Sequence, residues 1–184
     1  MRYSTVAFFI SYFLVACSGH LVTEPNPGAN LLTNSDFQKN GKPSLNGWIV
    51  PDTSAIHFSA DTPANGSGTS IFMHAEWYAP WPSNSIYTTI LPPEGKHRYK
   101  LSVFGKKTGV GGSVSVYLHR PSTSRSSIVS TLQIGPDSTW TSYSQEDTIS
   151  ATLSDTLFLI IHGGGTELLT GTTYFNTCTF ELVE

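Results

Sequence analysis

The stretch His74 to Tyr87, HAEWYAPWPSNSIY, concentrates side chains able to hold a ligand. Trp77, Tyr78, Trp81 and Tyr87 fall within eleven positions, with Pro80 and Pro82 between them. Flat rings stack on the apolar C–H faces of sugar rings, while Asn, Gln, Glu, Arg and His bond to the hydroxyls. An aromatic ring on a stiff loop loses little entropy when it binds. The competing reading is a plug, in which these rings close one end of a domain or pack on the prolines.

Reaction chemistry finds less support. His74-x-Glu76 lacks the partners that a metal or a triad needs, and it reads as a strand-end pair. There is no Gly-x-Ser-x-Gly elbow, no phosphate loop and no His-Glu-x-x-His. The 13 acids sit mostly in turns and at strand ends, and no pair stands out as acid and nucleophile. Gly163-Gly164-Gly165 follows an apolar run with no helix pattern after it, so it reads as a turn. The expectation is a binding protein without catalysis.

The elements that must position these residues are strands. From residue 30 onward no convincing 3.6-residue period appears, and alternation at period two recurs. Tyr99, Leu101 and Val103 share one face of a run, and Val114, Val116 and Leu118 share one face of the next. The other faces carry Phe104 and Lys106, then Tyr117 and His119. If these line one concave surface they form a second candidate site, with Arg120, Gln133 and Gln145 offering hydrogen bonds. The bland alternative is a solvated sheet face. Thr156–His162 is nearly continuous apolar, as for a strand covered on both sides. Further strand candidates are 47–50, 56–60, 70–76, 85–91, 127–134, 140–148 and 173–183. Turn signals such as Pro92-Pro93-Glu94-Gly95 and Pro136-Asp137 separate them. About ten strands at this spacing indicate an all-β sandwich or barrel.

Composition agrees. Ser and Thr number 46 of 184 residues, and charged residues make up only 12%. Net charge is −3 with no basic run, which argues against a nucleic-acid partner. Residues 1–16 read as a signal peptide: Arg2 precedes an apolar run, Val6–Ala16, too short to cross a bilayer. Leu14-Val15-Ala16-Cys17 resembles the bacterial lipobox, in which the cysteine is acylated. That implies an exported lipoprotein of the cell envelope, with Ser18 after the cysteine implying the outer membrane. Residues 17–29 would be lipidated cysteine and tether, and 30–184 the domain. Only Cys178 remains, so no disulfide framework is expected.

Asn30-Leu31-Leu32-x-Asn34-x-Asp36-Phe37, followed by Gly47-Trp48, resembles the opening of carbohydrate-binding modules of the family 4 and family 9 type. Tyr87-x-x-Ile90, then Pro93 to Lys106, Trp140-Thr141 and Tyr174 to Phe180 resemble later segments of that pattern in the same order. The resemblance implies a two-sheet β-sandwich jelly roll, galactose-binding-domain-like, that binds a poly- or oligosaccharide. It places Trp48 and Trp140 in the core. It puts Tyr87 on a strand, which makes Trp77 and Trp81 the better binding candidates. It also implies a structural calcium, with Asp36 retained and Asn176 where the family has an aspartate, so the site would be weak or absent. The rival expectation is an envelope lipoprotein using the sandwich for a protein partner or a structural role.

Overall fold

The computed structural model describes residues 26–66, 68–75, 84–109, 111–164 and 171–183. The segment read as a signal peptide, Cys17, and the ring cluster Trp77, Tyr78 and Trp81 lie outside the described residues. The described chain is all β apart from two single turns of 3-10 helix, and its strands form two stacked sheets and a small hairpin. The hairpin pairs β1 (Gln38–Lys39) with β2 (Lys42–Pro43).

The five-stranded sheet contains β3 (Ile56–Ser59), β4 (Ser70–Ala75), β6 (Gly95–Gly109), β9 (Thr141–Ala151) and β11 (Gly171–Leu182), in the order β3-β4-β11-β6-β9. The four-stranded sheet contains β5 (Ser85–Ile90), β7 (Ser113–Arg120), β8 (Arg125–Gln133) and β10 (Thr156–His162), in the order β5-β10-β7-β8. All pairings are antiparallel. The period-two pattern explains the stacking. Tyr99, Leu101, Val103, Phe175 and Phe180 point inward from one sheet, and Val114, Val116, Leu157, Leu159 and Ile161 from the other; all are at most 1% exposed.

The opening motif works as a latch. The Asn30 side chain accepts from the backbone N–H groups of Leu32 and Phe180, tying the first residues to β11. The Asn34 amide accepts from Gln38 N and donates to the Ser44 carbonyl. The Asn34 carbonyl takes the Trp48 indole N–H at 2.8 Å. Phe37 is fully buried against Trp48, with ring centroids 5.7 Å apart. Short polar residues bend the chain here, and two rings plug the corner. Trp48 is thus a core residue as expected. Residues 47–50 form no strand: Ile49 makes a single bridge to Tyr87 at the edge of β5.

The two ends of the sandwich differ. The short connectors 91–94, 121–124 and 152–155 lie at one end, joined by residues 26–29, since Gly28 donates to the Leu182 carbonyl. The opposite end holds 134–140 and 163–164, and there β4 stops and β5 starts.

An aromatic groove on the four-stranded sheet

Sheet membership decides which candidate residues meet. Consecutive strands β6 and β7 belong to different sheets. Their inward residues face each other, so Phe104 and Lys106 point outward on one side of the molecule and Tyr117 and His119 on the other. The single surface expected from these four residues does not exist. Period two reveals which residues share a strand face but not which sheet holds the strand.

Tyr117 and His119 instead meet residues of β5 and β10. The register places Phe158 beside Tyr117 and Thr89, and Ile160 beside Tyr87 and Ser115. Together Tyr87, Tyr117, His119, Ser126, Phe158 and Ile160 line an open groove of about 480 Å³. That volume falls within the range of small-ligand sites, roughly 300–1,000 Å³. Phe158 is the hub: its centroid lies 6.3 Å from Tyr87 and 6.1 Å from His119, the latter edge-on at 72°. Tyr117 faces Ile128 across the β7–β8 pair, and Ile128 is 58% exposed. His119 Nδ1 and Ser126 Oγ are 3.0 Å apart, which fixes the imidazole at the groove wall. Among the described residues that line it, none is a carboxylate, lysine or arginine. The groove therefore suits a neutral ligand with flat apolar faces and hydroxyl edges.

β10 was expected to be covered on both sides. Leu157, Leu159 and Ile161 are buried in the core, while Phe158 is half-buried and Ile160, itself 8% exposed, lies on the groove side. Apolar residues on the groove side hide the alternation, so neither stands out in the sequence as a binding residue.

Arg120 and Gln145 do not reach the groove. Arg120 sits at the end of β7, where it donates to the Ser150 carbonyl and lies 3.9 Å from the Asp155 carboxylate. Gln145 lies on the inward side of edge strand β9, opposite Leu101, and donates to Asp147 at 2.8 Å. Both are committed to holding the sandwich. Gln133 is exposed and pairs with Ser113, two residues along β8 from Thr131.

His162 closes the row next to the groove. Its Nδ1 accepts the Gly164 N–H at 3.2 Å, and burial holds the imidazole below the usual histidine range. The unfolded chain therefore binds the proton more readily than the fold does. Stability is full above about pH 6.5 and falls as pH drops below it toward the folded-state pKa. Denaturant unfolding between pH 7 and pH 5 should show this loss, and His162→Gln should flatten it.

The outer face of the five-stranded sheet carries its own aromatic row. His57, Phe72 and Tyr174 stack side by side, with centroids 5.0 and 5.2 Å apart. Lys106 sits over the rings of Trp140 and Tyr174 and is ion-paired with Asp61, whose other oxygen takes the Trp140 indole N–H. Trp140 was expected in the core and instead packs on this outer face. The Lys106 and Trp140 hydrogen bonds hold the Asp61 carboxyl below the usual carboxylate range. The clamp's contribution is present at neutral pH and is lost as pH falls through the depressed Asp61 pKa. Because Asp61 is half exposed, Lys106→Met should cost under about 1 kcal/mol, and it should return Asp61 toward the ordinary range in an NMR titration.

The implied calcium site does not fit. Asn176 Nδ2 donates to the Thr69 carbonyl at 2.6 Å, and its Oδ1 accepts from Thr177. Asp36 stays on a neighbouring segment, where the Ser35 carbonyl accepts from Cys178 N. Among the described residues no cluster of three His, Cys, Asp or Glu forms. With the amide spent on loop 60–69, one carboxylate is too little for a cation that prefers several. Cys178 is fully buried, and burial pushes its thiol up to about 12, as for an inert core residue.

No family model matches the chain, and no curated protein matches it. Solved structures do. The enzymatically active domain of tailspike protein 4 from bacteriophage CBA120 matches with a TM-score of 0.56 and 14% identity over 83% of this chain. This chain spans only 21% of that one. The module TmCBM61, solved with β-1,4-galactotriose, matches with a TM-score of 0.52 and 12% identity, covering 84% of this chain and 99% of the module. A family 4 carbohydrate-binding module matches with a TM-score of 0.50 and 14% identity, covering 82% of this chain and 99% of the module. The protein is an all-β, two-sheet sandwich with the jelly-roll fold of carbohydrate-binding modules.

Proposed function

We propose that this protein is a non-catalytic glycan-binding module. A neutral poly- or oligosaccharide would lie across the four-stranded sheet, stacking on Tyr117 and Phe158 and bonding through His119, Ser126 and Tyr87. The observation that carries this reading is the groove itself: aromatic, open and, among the described residues, without a charged lining side chain. The fold's likeness to modules, one of them solved with a galactotriose, supports the ligand class. Trp77, Tyr78 and Trp81 lie between β4 and β5 in the sequence, outside the described residues, and remain binding candidates in this proposal. The same proposal makes the protein a lipoprotein exported to the cell envelope and held, through Cys17, in the outer membrane.

Affinity electrophoresis through gels containing neutral polysaccharides tests the binding step. Retardation by one glycan class, relieved by free oligosaccharide, supports the reading. Free mobility in every gel, from a folded protein, would move the groove to a protein partner in the envelope or to a structural role.

A further inference from the structure

The end of the sandwich away from β4's exit carries the two most exposed large hydrophobics among the described residues. Leu91 is 79% exposed and Leu153 is 69% exposed. They lie on neighbouring connectors, because β5 pairs with β10 in one sheet while β6 pairs with β9 in the other. Each connector is stiff. Leu91 is followed by the buried Pro92 and Pro93. Leu153 is the second residue of a closed turn: Asp155 N donates to the Thr152 carbonyl at 3.0 Å, and the Asp155 carboxylate accepts from Thr152 N at 2.9 Å. Both leucines are thus held outward, and neither serves the core.

The N-terminal segment arrives at this same end. Gly28 donates to the Leu182 carbonyl, and Val183 donates to the Arg98 carbonyl beside the start of β6. From Cys17 to Asn26 the chain can span roughly 30 Å at most. An acyl group on Cys17 therefore holds this end within roughly 30 Å of the bilayer surface. Lys96 and Arg125 add exposed positive charge there, and Glu94 partly offsets it. The leucines, more than the charges, set the chemistry of the surface.

We propose that this end rests on the lipid bilayer, with Leu91 and Leu153 dipping into its interfacial region. The proposal rests on the reading of Cys17 as lipidated. Two leucines alone give only weak attachment, but beside an acyl anchor they fix orientation, because the second contact is intramolecular. The strands then stand away from the membrane. The far end, where the 76–83 segment departs, faces outward, and the groove is open from the side.

The test separates docking from anchorage. The chain from Ser18, which contains every described element, is tethered by an N-terminal hexahistidine to vesicles of phosphatidylethanolamine, phosphatidylglycerol and a nickel-chelating lipid. An environment-sensitive dye is placed on Ser154→Cys near the leucines, or on Ser138→Cys at the far end. Cys178 is buried and stays unlabelled. The expected result is a blue shift and quenching by brominated lipid at 154 only. The shift should be lost when Leu91→Ser and Leu153→Ser are combined. Aqueous emission at both positions overturns the docking proposal. A blue shift without vesicles that disappears on dilution also overturns it, assigning the surface to a second copy. Separately, the mass of the N-terminal peptide from the native chain shows whether Cys17 is acylated; an unmodified Cys17 sinks the anchorage reading and leaves the docking result to stand on its own.

Discussion

Tyr117→Ala should lower affinity for the preferred glycan by about 30-fold or more, and Phe158→Ala by a similar factor. That is the size of a binding hot spot, about 2 kcal/mol. The reason is geometric. Tyr117 and Phe158 are register partners on adjacent strands, and both line the groove. Truncating either leaves a sugar face over water. Neither side chain is part of the inter-sheet core, so the unfolding midpoint should fall only slightly. Tyr174→Ala supplies the control. It removes a comparable ring from the outer face of the opposite sheet and should leave affinity unchanged. Isothermal titration of the three variants, with denaturant unfolding of each, checks both halves of the prediction. Equal loss in all three would mean that the groove is not the site.

The largest effect on stability should come from Phe37→Ala, at about 3–5 kcal/mol. Phe37 is fully buried against Trp48 and sits at φ +55°, a left-handed conformation unusual for a non-glycine residue. Two terms oppose each other there. Packing the ring stabilises the latch by several kcal/mol, while the left-handed backbone costs about 1–2 kcal/mol. Packing wins, which is why a phenylalanine can hold the position. The sign of the strain can be checked with a second variant. Phe37→Gly loses the same ring but relieves the backbone, so it should be more stable than Phe37→Ala by roughly 1 kcal/mol. Against a typical total of about 5–15 kcal/mol, either change brings the domain near unfolding, and intrinsic tryptophan fluorescence follows the transition.

Much of the fold could be read from alternation. Tyr99, Leu101 and Val103, and then Val114, Val116 and Leu118, were legible as inward faces because polar residues separate them. The opening Asn30 to Trp48 pattern was legible because its short polar residues and two rings have a specific task, seen in the Asn30 and Asn34 hydrogen bonds. What alternation could not supply was sheet membership. Phe104 and Tyr117 look equivalent along the chain, yet they lie on opposite outer faces. Gln145 looked available because it is polar, but β9 is an edge strand whose inward side carries polar residues. Phe158 and Ile160 were missed for the converse reason. An apolar residue facing outward looks like core in sequence, and only the register of β10 against β5 and β7 places it at the groove. The ring cluster Trp77, Tyr78 and Trp81 lies outside the described residues, so its part in binding stays with the proposal.

The most direct test of the central claim is amide and side-chain NMR of the chain from Ser18, titrated with the glycan that retards it most. Chemical-shift changes should concentrate at Tyr87, Tyr117, His119, Ser126 and Phe158, with the resonances of Phe72, Tyr174 and Trp140 unmoved. Changes confined to the Phe72–Tyr174–Trp140 face, with a silent groove, would contradict it.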